Sequence, residues 1–289
     1  MRKSALVLAF VSLAILMAWS LAAAQDAATG QDPLLKALER DYKPAAPLLP
    51  EGVKIAETFK ESGAAKIGLT DFVQNLAYVI HADDPLTAYK LVKSQPLFTG
   101  DAVIVEEKSS AVLLLDDESR ISVNASSKLV LDKSVYNPDK SFRDTLVSLV
   151  AGKARFVVTK LGGMFGESNN FEVTTPVGSC GVRGSDFILA LVPQEAIGKR
   201  ETSFLDFFSP APAYAQTGLV LVAVAGPDTR LSLRGLTGAP VLLTSFTAST
   251  VLGGQSPTPP IPTSPTQTPR LFNNLAPSVS VMGMPDFLE

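Results

Sequence analysis

The feature that most constrains the fold is the even spacing of short apolar runs after about residue 64. Two of these runs are Asp101-Ala-Val-Ile-Val-Glu106 and Ser110-Ala-Val-Leu-Leu-Leu-Asp116, and Gly, Asp, Asn and Ser separate such runs along the chain. Arg120-Ile-Ser-Val-Asn124 also alternates with the period of a strand. Short strands with regular turn signals are typical of a sandwich, a barrel or a β-solenoid rather than of βαβ units. The sequence therefore predicts an all-β fold of many short antiparallel strands, forming a sandwich or short β-solenoid with disordered termini.

Composition divides the chain into segments of different character. A short helix is predicted within residues 32–42, where leucines recur at helical spacing. A proline-rich run begins after Gly254 and is expected to be extended polyproline II rather than packed core. The predicted segments are a signal peptide (1–24), a low-order lead-in (25–63), a β domain (64–253, with its core at 64–192, an insertion at 193–217 and further strands at 218–253) and a disordered proline-rich tail (254–289).

The N-terminal residues have the organisation of a secretory signal. Arg2 and Lys3 precede an apolar run from Ala5 to Leu21, and small residues follow it. This pattern predicts cleavage after Ala24 and export to the periplasm or the extracellular space. The alternative is an uncleaved membrane anchor, because the apolar run is nearly long enough to span a bilayer.

Charge and residue counts exclude several classes of function. The chain has 289 residues and a formal net charge of −3, which argues against a nucleic-acid partner because phosphates require a basic surface. One cysteine and one histidine exclude most Cys/His metal sites and any intramolecular disulfide. We therefore expect neither a metal nor another cofactor.

The templates of common enzymes do not fit. Val147 occupies the position where a P-loop ending in Gly152-Lys153 needs a glycine, and Val177 stands where a nucleophile elbow at Ser179 needs one. We predict no catalytic residue. An enzyme that acts on a polysaccharide through surface carboxylates remains the alternative, and it requires two carboxylates that converge in a cleft.

Isolated polar residues are interpreted as loop and turn chemistry. The pairs Asp83-Asp84 and Asp116-Asp117 have the composition of tight turns. His81 is interpreted as an exposed loop histidine. Asn124-Ala-Ser126 fits the glycosylation pattern but is too short to be informative.

One glycine-rich stretch, Thr175–Val192, looks at first like a catalytic loop. It contains three evenly spaced glycines, the only cysteine and an adjacent arginine: Gly178, Gly181, Gly184, Cys180 and Arg183. Glycines at this spacing allow a chain to turn sharply, and an arginine can donate to carbonyls left unpaired at such a corner. We interpret the stretch as a corner between two strands. The alternative is a reactive or regulatory thiol activated by the arginine.

Several stretches resemble motifs of the FecR domain, in the order in which that family has them. They resemble its Gly-Asp opening, its strands around an acidic turn, its hairpin around Gly152 and its final signature. The corresponding residues are Pro96-Leu-Phe-Thr-Gly-Asp101, Ser109–Asp117, Ile121-Ser-Val-Asn124, Leu129-Val-Leu131, Leu149-Val-Ala-Gly152, Ala154-Arg-Phe-Val-Val158, Val173-Thr-Thr-Pro176 and Gly181-Val-Arg-Gly184-Ser-Asp-Phe187.

The resemblance implies an extracytoplasmic, all-β, non-enzymatic domain. The best-known family members are membrane-spanning sigma-factor regulators that read the state of an outer-membrane siderophore receptor. Only Met1–Lys3 precede the apolar run here, so we expect no segment that holds a sigma factor. The predicted function is an exported, non-enzymatic binding or signalling accessory of the cell envelope, with an envelope protein partner contacted through 193–217 or the proline-rich tail. The alternative is a membrane-tethered regulator of envelope or iron-uptake signalling.

Overall fold

The structure is a computed structural model, and it describes residues 33–44, 47–161, 169–182, 184–197, 218–263 and 267–274. The predicted signal peptide, most of the 193–217 insertion and residues 275–289 lie outside these ranges. The helices are α1 (Pro33–Glu39) and α2 (Gln267–Asn274), with 3₁₀ turns at Pro138–Lys140 and Gln194–Ile197. The strands are β1 (Lys54–Ala56), β2 (Lys66–Gln74), β3 (Ala77–Ile80), β4 (Thr87–Lys90), β5 (Pro96–Phe98), β6 (Ala102–Val105), β7 (Ser110–Leu115), β8 (Arg120–Val123), β9 (Ser127–Asn137), β10 (Phe142–Ala151), β11 (Lys153–Val157), β12 (Asn169–Thr175), β13 (Gly178–Val182), β14 (Asp186–Pro193), β15 (Leu219–Ala225), β16 (Arg230–Gly235), β17 (Val241–Thr244), β18 (Thr247–Leu252) and β19 (Ile261–Pro262).

The strands form two sheets, which confirms the all-β prediction. The first sheet has the order β1-β4-β3-β6-β9-β10-β12-β13-β16-β17, and the second has the order β19-β18-β15-β14-β11-β8-β7-β2-β5. Neighbouring strands are antiparallel except for the pairs β1–β4 and β10–β12, which are parallel. Neither described helix has the length and apolar character that a membrane crossing requires.

The main core lies between the two sheets. Alternate side chains of β10, among them Val147 and Leu149, are buried against it. Phe156 and Phe187 of the second sheet stack with ring centroids 5.0 Å apart, and Phe171 of the first sheet meets Phe156 edge-on at 6.4 Å. The alternation that predicted the strands therefore also identifies the side chains that join the sheets.

Gly152 marks a corner between the sheets. The sequence predicts a hairpin over Thr145–Thr159, and this is wrong: β10 lies in the first sheet and β11 in the second. Gly152 has φ +79°, and a Cβ atom there would lie 2.6 Å from the carbonyl oxygen of Ser126. A side chain at this position would collide with the neighbouring backbone. Only glycine therefore fits at the point where the chain passes from the first sheet to the second.

The second sheet is buried on both faces at β14 and β15. Their burial is nearly continuous along each strand, and the outward-facing side chains are covered by α1 and α2. Within the described residues, parts of the segments predicted to be a low-order lead-in and a disordered tail form helices on this face. The physical reason is that their leucines and phenylalanine remove from water an apolar sheet face that the sandwich leaves open. The predicted short helix within 32–42 is confirmed by α1.

Candidate functional site

The glycine-rich stretch forms a hairpin followed by a corner. Strands β12 and β13 pair with Thr175 opposite Gly178. The Thr175 hydroxyl donates to the Gly178 carbonyl at 2.8 Å and accepts from the Gly178 amide at 3.0 Å. The side chain thus satisfies backbone groups that the tight turn leaves free. Strand β13 belongs to the first sheet and β14 to the second, so the residues between them cross the sandwich edge.

Gly184 is the residue at which this crossing occurs. Its φ is +74°, and a Cβ atom would lie 2.9 Å from the Cα atom of Lys160. The next residue, Ser185, donates from its hydroxyl to the Arg230 carbonyl at 3.2 Å, which secures the far side of the corner. Arg183, the predicted donor at this corner, lies outside the described residues. The structure thus agrees with the corner interpretation of the stretch.

Cys180 is buried in the core between the sheets and points away from solvent. Burial raises the pKa of its thiol strongly, and the negative charge of Glu172 raises it further. Because the thiolate is the reactive form, a thiol held protonated in an apolar core is chemically inert. The structure gives no support to the alternative of a reactive thiol.

A second cluster joins Arg143 of β10 to the acidic turn between β7 and β8. Both side chains of the Arg143–Asp117 pair are fully buried, and Nη1 lies 2.8 Å from Asp117 Oδ2. Nη1 also donates to the Thr159 carbonyl at 3.0 Å, and Nη2 donates to Asn169 Oδ1 at 2.6 Å. Ser119 donates to Asp117 from its amide and its hydroxyl. One guanidinium thus fixes three chain segments that are distant in sequence.

The sequence only partly predicted this cluster. The Asp116-Asp117 turn is present, but Asp117 is buried by an ion pair rather than exposed. The sequence feature that could have revealed the cluster is Arg143, which belongs to the inward-facing side chains of β10 together with Thr145 and Val147. An arginine in that register needs a buried acceptor, because an isolated buried charge is strongly unfavourable.

A third cluster surrounds His81, and here the exposed-loop interpretation is wrong. His81 is 2% exposed, and its Nδ1 lies 2.6 Å from Oδ1 of the fully buried Asp101. Its Nε2 lies 3.0 Å from the carbonyl oxygen of Lys60. Three aromatic rings enclose the imidazole at centroid distances of 5.2–5.5 Å, those of Phe59, Tyr89 and Phe98.

Each of the two polar contacts of His81 requires one proton, which one atom of the pair donates to the other. A carbonyl oxygen can only accept, so Nε2 carries a proton toward Lys60. The Nδ1–Oδ1 contact needs a second proton, which belongs either to the imidazole or to the carboxyl group. Burial raises the pKa of Asp101, which outweighs the lowering effect of its hydrogen bond to His81. The cluster fastens the lead-in segment to the sandwich.

The described residues do not assemble a recognisable catalytic or metal centre. Among them there is no group of three His, Cys, Asp or Glu side chains that could hold a metal ion. Asp83, in the other predicted acidic pair, accepts from the Gly63 amide and the Ser62 hydroxyl, which lower its pKa. An open cleft beside the corner is lined by Lys160, Gly184, Asp228, Thr229, Arg230, Thr244 and Ser245.

The fold is a two-sheet sandwich whose motif residues form inter-sheet corners and buried clusters, and its sequence matches a known family. A family model described as FecR protein matches residues 101–200. Residues 101–200 therefore match the FecR family, which confirms the resemblance that the motifs predicted. The matched stretch includes Asp101, Asp117, Arg143, Gly152 and Gly184, so each of the clusters and corners described above contributes to it.

Comparison with solved structures gives more distant similarities. Two crystal structures, at 2.50 and 1.65 Å resolution, show a candidate anti-sigma factor from Parabacteroides distasonis ATCC 8503, each 13% identical to this chain, with TM-scores of 0.38 and 0.37. Each alignment covers 56% of this chain and 60% of the other, so the chain spans less than two thirds of those proteins. A comparison with curated proteins gives no match.

Proposed function

We propose that the protein is an exported, non-enzymatic accessory of the cell envelope that acts by binding another envelope protein in a signalling or regulatory process. The FecR domain supports the regulatory role. The N-terminal sequence supports export, since Arg2 and Lys3 precede an apolar run and small residues follow it.

The main observation behind the proposal is that the motif residues stabilise the fold. Arg143 and Asp117 neutralise each other in the interior, and Asp101 is paired with His81. Gly152 and Gly184 allow the chain to change sheets. The polar and glycine positions of the motifs are thus engaged in holding the sandwich together, which leaves its surfaces for interaction with partners.

The membrane-tethered alternative keeps the same domain and the same mode of action. In that case the apolar run from Ala5 to Leu21 stays attached and holds the sandwich at the outer surface of the membrane. N-terminal sequencing of the protein from cells separates the two forms. A mature start at Gln25 supports the released form, and an intact Met1 or a start within the basic residues supports the tether.

The test of the binding role is cross-linking in cells, followed by purification of the tagged protein from the envelope and mass spectrometry. The matched control is the same tagged protein without residues 1–24, which remains in the cytoplasm. We expect one envelope protein to be recovered reproducibly with the exported form and not with the control. Recovery of the same background from both forms would contradict a protein-binding role.

A further inference from the structure

The outer face of the second sheet has an apolar floor of its own. This floor is a cluster separate from the core between the sheets, and α1 and α2 lie over it. The main core is therefore closed by the two sheets themselves, without the helices. The floor consists of Ile188, Ala190, Val192, Val220, Val222, Val224 and Ala248.

The two helices that cover the floor are short. Helix α1 has 7 residues and α2 has 8, and such lengths are not stable as isolated helices in water. Leu35 and Leu38 of α1, with Leu271 and Phe272 of α2, are buried against the floor. Docking on the sheet therefore provides most of the free energy that keeps these segments helical.

Strand β11 supplies a basic anchor for each helix. Lys153 Nζ donates to the carbonyls of Leu38 at 2.9 Å and Arg40 at 3.1 Å, at the carboxyl end of α1. Arg155 Nη1 donates to the Phe272 carbonyl at 2.9 Å, and its guanidinium lies 5.1 Å from the Phe272 ring centroid. The two cations are two residues apart and so lie on one face of the strand, where each meets the negative end of a helix.

Lys153 and Arg155 differ in the polar partners that each retains when its helix is removed. The Lys153 side chain is 8% exposed, and its polar partners from the α1 side include Asp41 as well as the two carbonyls. Removing α1 would take away both carbonyl acceptors of that ammonium group and its carboxylate partner together. Arg155 is 17% exposed and also forms two hydrogen bonds with Asp186, at 2.8 and 2.6 Å. Removing α2 leaves Arg155 paired, so α2 is the cover that can be displaced at lower cost.

We propose that this floor, together with Arg155, is the docking surface for an amphipathic helix of the partner protein, and that α2 occupies the surface until the partner displaces it. The proposal rests on the binding function above and names the surface and the partner chemistry. The partner helix carries two adjacent large apolar side chains near its carboxyl end, as α2 does with Leu271 and Phe272. Its last turn exposes backbone carbonyls to Arg155, in the groove-binding mode of helix recognition.

The experiment uses a fluorescent peptide with the sequence of residues 263–278 as the probe for such a helix. It is titrated into two full-length proteins, the wild type and the double variant Leu271→Asp, Phe272→Asp, whose own helix can no longer bind the floor. We expect the double variant to bind the peptide at least tenfold more tightly than the wild type. The reason is that the apparent affinity of the wild type is reduced by the small fraction of molecules in which α2 is undocked.

Three controls locate the binding. A peptide with Asp at both apolar positions should not bind either protein. Adding Arg155→Gln to the double variant should weaken peptide binding at least fivefold. A Leu242→Asp variant, which changes an exposed apolar residue on β17 of the other sheet, should bind the peptide as the wild type does.

The proposal is overturned if the folded double variant does not bind the peptide, or if it binds no better than the wild type. Should circular dichroism show that the double variant does not fold, a photo-reactive group at the Phe272 position of the peptide tests the wild type directly. Cross-links to β14 or β15 support the proposal, and cross-links confined to other strands overturn it. These results are independent of the envelope cross-linking. If a partner is recovered in cells but the peptide does not bind, the proposed docking surface is refuted and the proposed binding function is retained.

Discussion

The buried pair Arg143–Asp117 allows the strongest test of the packing described here. Replacing Arg143 with Met retains much of the apolar volume but removes the donor to Asp117, Thr159 and Asn169. Asp117 then remains buried with only the Ser119 donors. Removing one partner of a buried ion pair typically costs about 3–5 kcal/mol. For a domain of this size each kcal/mol lowers the melting temperature by about 2–4 °C, so we expect a decrease of about 6–20 °C.

Urea and thermal unfolding followed by far-ultraviolet circular dichroism measure this effect. The control Arg230→Met removes an exposed arginine side chain and should change the free energy of unfolding by less than about 0.5 kcal/mol. The double variant Arg143→Met, Asp117→Asn should lose less stability than the sum of the two single variants, because it contains no unpaired buried charge. A loss of under about 1 kcal/mol for Arg143→Met, or strict additivity in the double variant, would refute this account of the cluster.

Three further predictions concern the corner and the histidine cluster. Cys180→Ser buries a hydroxyl group in an apolar site and should lower the free energy of unfolding by about 1–3 kcal/mol, while native Cys180 should resist thiol reagents until the protein unfolds. Gly184→Val should reduce the yield of folded protein in a solubility assay far more than Gly181→Val, because a Cβ atom at Gly181 meets nothing within 4 Å. Because burial raises the pKa of Asp101, its contribution to stability is greatest below about pH 4 and is lost as pH rises through the raised pKa. Asp101→Asn should therefore lose less stability relative to wild type at pH 7 than at pH 4, and an equal loss at both pH values would contradict a raised pKa for Asp101.

The period-2 alternation correctly predicted the strands, because it reports the one property that a half-buried strand must have. It could not distinguish a hairpin from a corner at Gly152. Both arrangements place two alternating strands around a glycine, and only the partners of each strand differ. Which sheet a strand joins depends on residues far away in sequence, so the local alternation does not determine the partners of β10 and β11.

The prediction that His81 is an exposed loop residue fails for a related reason. A histidine beside two aspartates at the end of an apolar run has the composition of an exposed turn. Its burial depends on Asp101 and on the lead-in residue Phe59, which the tertiary fold brings to it. The Gly-Asp motif that ends at Asp101 is visible in the sequence, but nothing in that motif specifies the side chain with which the aspartate pairs.

The burial of the outer face under the tail helix, by contrast, is indicated by the sequence. Strands β14 and β15 contain Phe187–Val192 and Leu219–Ala225, apolar runs without the alternation seen elsewhere. A run of this kind requires burial on both faces, and a sandwich of two sheets covers only one. Some other part of the chain, or a partner, must therefore cover the outer face, and the leucines of the lead-in and the Leu-Phe pair of the tail are placed to do so. The same requirement makes this face the natural place for a partner helix, because whatever displaces α2 must bury the same valines.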